Sequence, residues 1–240
     1  MYRDKDYKCW ICQINIADSG EHIIKKTDLK HVYGNTSQKS PIYTRKDGKK
    51  TKPIGSINSN LFKYERVICK KCNNNITQSH DNAWEVLSDF LHNNWDDIKI
   101  NNGFKLNKIF PSDTEEHMIF VQLFFIKLLG CKIAESGNDF CLKSFSAAIN
   151  SGNEHPDVYI SFRDSQKNDY TASADIDAFK DGNGNFVYLH WFYTIGSFSV
   201  DVIYAENIST VDLNGGKKPS DMNDFVSLSK LNYNQDYQSE

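Results

Sequence analysis

The chain has 240 residues, 39% of them hydrophobic and 25% charged, with a formal net charge of -3; these are ordinary globular values for one large domain or two small ones, with no repeat or low-complexity tract. The densest apolar run, residues 118–130, is shorter than a membrane span and contains Gln122 and Lys127, which excludes a membrane anchor there. The charged first ten residues lack the apolar core of a secretory signal, so a cytoplasmic protein is expected, in which the six cysteines need a use other than structural disulfides.

Four of the six come as two C-x-x-C pairs, Cys9/Cys12 and Cys69/Cys72. Each pair offers two sulfurs at a nearly fixed separation, and two such pairs are the common signature of a structural zinc site. Nothing resembling the βαβ context of a redox C-x-x-C motif surrounds them. Between the pairs stands "GEHIIKK", with Glu21 beside His22; neighbouring side chains point to opposite faces of a strand, so one could face a metal and the other a substrate.

The net charge hides an asymmetry. From Lys25 to Cys72 there are 13 Lys or Arg against 3 Asp or Glu, a local surplus of about +10 on an otherwise acidic chain, which suggests a polyanion site. Within it, residues 42–54 read as a basic hairpin turning at Asp47-Gly48. Arg45, Lys46, Lys49 and Lys50, with Lys25 and Lys26 after the histidine, are the candidate phosphate contacts.

After Cys72, apolar residues recur at helical spacing from Ile76 to Leu91, which predicts a long amphipathic helix over 73–95. Residues 96–113 read as a connection with at most one short strand, and the domain boundary is placed at 110/111. Ser112 and Glu115 form a capping-box pattern for a second helix, expected to run to Leu129 and stop at Gly130; a shorter helix follows over 142–150. Four β-prone runs then begin near Asp157, Tyr170, Asn185 and Phe198, with "DGNGN" as a hairpin turn, so residues 111–240 read as an α+β domain with an antiparallel sheet. Cys131 and Cys141 lack ligand spacing and are expected to be buried small side chains. Asp175 and Asp177 fit a polar sheet face, and the acidic balance of this half argues against a nucleic-acid surface there; a protein partner or a second copy is the expected contact.

Cys9-x-x-Cys12, Glu21-His22-Ile23-Ile24, and Cys69-x-x-Cys72 followed at once by Asn73 together resemble the HNH nucleases of the ββα-metal type, closest to the zinc-containing branch of the endonuclease VII kind. The resemblance covers about residues 8–91. It implies a zinc-stapled N-terminal domain (1–110), a catalytic Mg²⁺ or Mn²⁺ held by Glu21 and Asn73, His22 as general base, and DNA as substrate. Lys25 stands where many members carry proline, and the segment between His22 and Cys69 exceeds a minimal core, which implies that about residues 27–66 are a basic insertion. His80, seven residues beyond Asn73, would lie about 10 Å along a helix from it, too far to share one metal; packing or phosphate contact is expected for it, and Asp81 is read alike. The rival readings are a zinc-knuckle nucleic-acid-binding module without catalysis and a nuclease effector of antiphage defence held in check by a partner.

Overall fold

In the computed structural model, which describes residues 7–44, 51–166, 169–207 and 213–230, the chain begins with a tight knuckle. The Cys9 amide donates to the Asn15 carbonyl and the Gln13 amide to the Cys9 carbonyl. The fold of this loop turns Trp10 and Ile11 inward, where they are 2% and 1% exposed. Strand β1 (Ser19–His22) follows, and pairs antiparallel with β4 (Lys63–Ile68). Between the Ser19–Ile68 and Glu21–Tyr64 pairings a single residue of β1 answers three of β4, a bulge that adds local twist.

Between these strands the chain forms helix α1 (Lys26–Tyr33) and a hairpin of β2 (Ile42–Thr44) and β3 (Lys52–Ile54). The hairpin is the one its alternation predicts, with Ile42 opposite Ile54 and both buried; its expected turn at Asp47-Gly48 lies outside the described residues. Helix α1 was not anticipated. It is held by a buried carboxylate: Asp28 is fully enclosed and accepts hydrogen bonds from Trp84 Nε1 (2.9 Å), Ser88 Oγ (2.6 Å) and Tyr193 Oη (2.7 Å).

The second cysteine pair leads into a π-helical turn (Cys72–Ile76) and then α2 (Gln78–Asn101), which runs past the predicted end at Trp95. Asn94 leaves helical geometry without ending the helix, and Asn102, in the left-handed conformation, caps it. The expected connection therefore shrinks to strand β5 (Gly103–Lys105) and a short 3-10 turn.

Helix α3 (Thr114–Ser136) begins one residue after Asp113, with no side-chain cap, so the Ser112–Glu115 box does not form. Nor does the helix stop at Gly130. That glycine sits mid-helix, where an added Cβ would lie 2.4 Å from Cζ2 of Trp10: glycine is there for the close approach of the first cysteine knuckle, not for a break. Gly130→Ala should therefore destabilise the protein by about 1–3 kcal/mol through overpacking, despite the better helix propensity of alanine. Urea denaturation checks this, and an unchanged midpoint would mean that Trp10 can move aside.

Helix α4 (Lys143–Ser151) lies close to its predicted place. The C-terminal sheet is antiparallel in the order β6 (Val158–Asp164), β10 (Phe198–Ala205), β9 (Phe186–Ile195), β7 (Thr171–Ser173), with β8 (Asp177–Lys180) also on β9; β11 (Phe225–Ser227) pairs with β5. The run expected as one strand from Tyr170 is split into β7 and β8. Asp181 accepts from the amides of Asn183 and Asn185 and so closes the predicted "DGNGN" turn.

The fold is mixed α+β, as expected, but the two halves share one hydrophobic core across residue 110. Trp84 of α2 stacks on Phe124 of α3 (5.4 Å) and meets Phe125 edge-on, and Phe125 in turn meets Tyr193 of β9. By length and composition α3 could cross a membrane, yet the protein itself buries most of it. Gln122 is satisfied there by His155 and the Val158 carbonyl. Cys131 is buried as predicted, taking a contact from Trp10 Nε1 at 3.5 Å, whereas Cys141 is exposed just ahead of α4 and corrects the expectation that both are buried.

Candidate metal centre and active site

The two knuckles bring Cys9, Cys12, Cys69 and Cys72 together, with all four sulfurs within 4.8 Å of one another. Sulfurs placed about 2.3 Å from one tetrahedral zinc would stand about 3.8 Å apart, and Cys12 and Cys69 are at 3.9 Å. Backbone amides of Asn15 and Cys72 point at the sulfurs of Cys12 and Cys69. Burial opposes ionisation of Cys12, but the Asn15 and Ile14 amides and the neighbouring thiols outweigh it and hold this thiol at about 7. Burial pushes Cys9 and Cys72 upward. Crowded buried thiols of this kind are what a divalent cation stabilises, so the cluster could hold a structural zinc.

Beyond the cluster, β1 divides Glu21 and His22 between opposite faces. Glu21 turns inward and is 9% exposed. Its Oε1 lies 3.0 Å from Nζ of Lys127, a fully buried lysine on α3. The same ammonium meets Oδ1 and Oδ2 of Asp81 at 2.9 and 2.8 Å. Lys25 also reaches Asp81 (2.9 Å) and Glu85 (3.2 Å). Burial disfavours charge on Lys127, but Glu21 and Asp81 overcome it and hold the ammonium protonated. Burial also works against Asp81, yet Lys127 and Lys25 together keep its pKa low. Glu21 is pushed the other way, because burial and the charge of Asp81 outweigh Lys127.

His22 is on the other face, half-buried, opposite Lys63 of β4. Burial first, then Lys63, lowers its pKa to about 4 against a hydrogen bond to the Ile57 backbone, with Lys26 and Lys25 adding to the fall. The imidazole is therefore neutral at pH 7. Its Nε2 is buried with no hydrogen-bond partner among the described residues.

Asn73 follows the second knuckle, and its Nδ2 donates to Ser19 Oγ at 3.0 Å. Ser19 stands two residues before Glu21 on β1, so this bond ties Asn73 to the same short strand. The carboxylate brought to the cation of Glu21 is nevertheless that of Asp81. This corrects the grouping of Asp81 with His80. His80 is packed in the interior, 2% exposed and 5.6 Å from the Phe120 ring, as the packing expectation had it.

Of the expected phosphate contacts, Lys25 is committed to Asp81 and Glu85, Lys26 opens α1 half-buried, and Arg45, Lys46, Lys49 and Lys50 lie outside the described residues. Asp175 and Asp177 are both solvent-exposed, but only Asp177 is on a strand, at the start of β8; Asp175 lies in the segment between β7 and β8, which corrects the shared sheet face expected for the pair. Sequence reasoning missed Lys127. The signal was present: a lone lysine inside the most apolar helix must be paired, because lysine is almost never fully buried otherwise. A cavity of about 370 Å³ between α2 and the segment before α3, lined by Asn82, Val86, Phe110 and His117 among others, contains none of these site residues. Comparison with protein-family models, curated proteins and solved structures finds no match for this chain.

Proposed function

We propose that this protein is a zinc-stapled endonuclease of the HNH type, hydrolysing DNA phosphodiester bonds with His22 as general base. The observation that carries the reading is the hydrogen bond from Asn73 to Ser19, which holds the turn after the second knuckle against the strand ending in Glu21-His22. The order of knuckle, β1, β4, knuckle and helix supports the ββα-metal arrangement that the resemblance implies.

A divalent metal fits the donor set. Glu21 and Asn73 offer the hard oxygens that Mg²⁺ or Mn²⁺ prefers, and Lys127 already stands beside Glu21 as a cation in the same surroundings. Such a metal, when bound, would neutralise charge developing on the phosphate and stabilise the leaving oxygen. The remaining work belongs to the chain. His22, neutral at pH 7, accepts the proton of the attacking water through a ring nitrogen, and Ile57 fixes the ring orientation. Asn73 holds the start of the helix to β1, so the metal side and the base side of the strand keep their separation.

The ion pair of Glu21 with Lys127 favours a second reading, a nucleic-acid-binding zinc module in which that carboxylate is purely structural. One assay separates the two. The zinc-loaded protein, with any partner encoded beside it, is incubated with supercoiled, single-stranded and branched DNA and with RNA in Mg²⁺ or Mn²⁺. Metal-dependent cleavage of DNA is expected; binding with no cleavage of any substrate would leave the module reading in its place.

A further inference from the structure

The lysine that meets Glu21 has a particular set of partners. An ammonium has three N–H donors, and Lys127 directs two toward the oxygens of Asp81 and one toward Glu21. Asp81 has a second cation in Lys25, which also serves Glu85. Glu21 has a single ion-pair partner among the described residues. The cluster therefore holds one carboxylate strongly and one weakly. With Glu21 ionised, three carboxylates (Glu21, Asp81 and Glu85) face two ammoniums (Lys127 and Lys25) among the described residues, which leaves one unit of negative charge around the strand end. A divalent cation together with one phosphodiester anion would bring that total to zero.

We propose that Lys127 is a positioning residue that holds Glu21 as an internal counter-ion and competes with the catalytic divalent metal for it, so that metal binding transfers Glu21 from the ammonium while Lys127 stays on Asp81. This rests on the nuclease reading and adds the control of its metal site. The arrangement keeps a buried carboxylate neutralised before the metal arrives. It makes metal affinity weak in the resting protein, because the ion must displace a charge-assisted contact in surroundings that screen poorly. Substrate tightens the site, since the phosphate supplies the anion that balances the cluster.

Mn²⁺ uptake by the zinc-loaded full chain, followed by electron paramagnetic resonance, tests the competition. Lys127→Met removes the competitor and should tighten Mn²⁺ binding at least about tenfold, an order of magnitude that a single lost ion-pair contact can supply. Asp81→Asn leaves Lys127 with Glu21 as its main partner and should weaken binding by a similar factor. A purely structural lysine predicts instead that Lys127→Met leaves affinity unchanged or lowers it, and that result overturns the proposal.

Because Lys127→Met leaves two buried carboxylates together and can fail to fold, a second measurement uses the unaltered protein. The Lys127 ammonium signal in ¹⁵N-lysine NMR, assigned with Lys127→Arg, should shift on adding Mg²⁺ as Glu21 leaves it. Cleavage of DNA by a protein whose Lys127 signal does not respond to Mg²⁺ would refute the competition and leave the nuclease standing. No Mn²⁺ uptake by wild type or variant, with no cleavage, would remove the nuclease reading itself and the role of Lys127 with it.

Discussion

Replacing Cys69 or Cys72 by serine should unfold more than the N-terminal half. Binding energy at a structural zinc site is largely folding energy, about 10–16 kcal/mol in small zinc domains, against a total stability of about 5–15 kcal/mol for a typical protein. Two short knuckles far apart in sequence have little else to hold them together. In this fold the damage spreads, because Trp10 and Ile11 of the first knuckle and Ile68 beside the second belong to the same core as α3 and the C-terminal sheet. Trp10 packs directly on Gly130, so loosening the knuckle opens a gap against the central helix. Chelation and Cys69→Ser should each lower the melting temperature of the whole chain in one cooperative transition, with loss of near-ultraviolet signal from the buried tryptophans. Elemental analysis should find one zinc per chain in protein purified without chelator. A zinc-free preparation, or a serine variant melting within about 2 °C of the parent, a shift worth only about 1 kcal/mol at this size, would take the zinc out of the scaffold.

His22→Ala should abolish DNA cleavage while zinc content and DNA affinity stay near those of the parent. Loss of a positioned general base costs about 10²–10⁴-fold in rate, and the base acts on the transition state rather than on ground-state binding. The structural cost is modest, since His22 is half-buried and gives up one backbone contact to Ile57, worth about 1 kcal/mol. Assays well below the melting temperature therefore separate chemistry from folding. Glu21→Ala should also lose activity, but it leaves Lys127 with Asp81 alone and changes stability as well, so it is the less clean probe. Cleavage that survives without His22 would place the active site elsewhere in the chain.

The elements legible in the sequence are those fixed by short-range pattern. The two C-x-x-C pairs fix their sulfurs through local chain geometry, and the cluster forms as read. The β2–β3 hairpin, α4 and the strands of the antiparallel sheet follow from short-range periodicity and, at Asp181–Asn185, from turn chemistry. Helix ends were read less well. Gly130 looked like a stop because glycine is a poor helix former, but its role is set by an indole 120 residues away, which no window of sequence contains.

By itself, then, the sequence determined the two cysteine pairs that cluster, the alternation of Glu21 and His22 on their strand, and the α+β order of elements, since each depends on backbone periodicity or spacing within a few residues. Only the tertiary structure decided what those side chains meet. Lys127 and Asp81 are 46 positions apart and Glu21 is more distant still, yet one ammonium joins them, because a charge carried into the interior by an apolar helix must find its counter-charges wherever the fold brings them. The joining of the two expected domains in one core has the same origin: the middle of α3, from Val121 to Cys131, is buried on every side, and residues of both halves, Trp10 and Trp84 from one and Tyr193 from the other, pack around it.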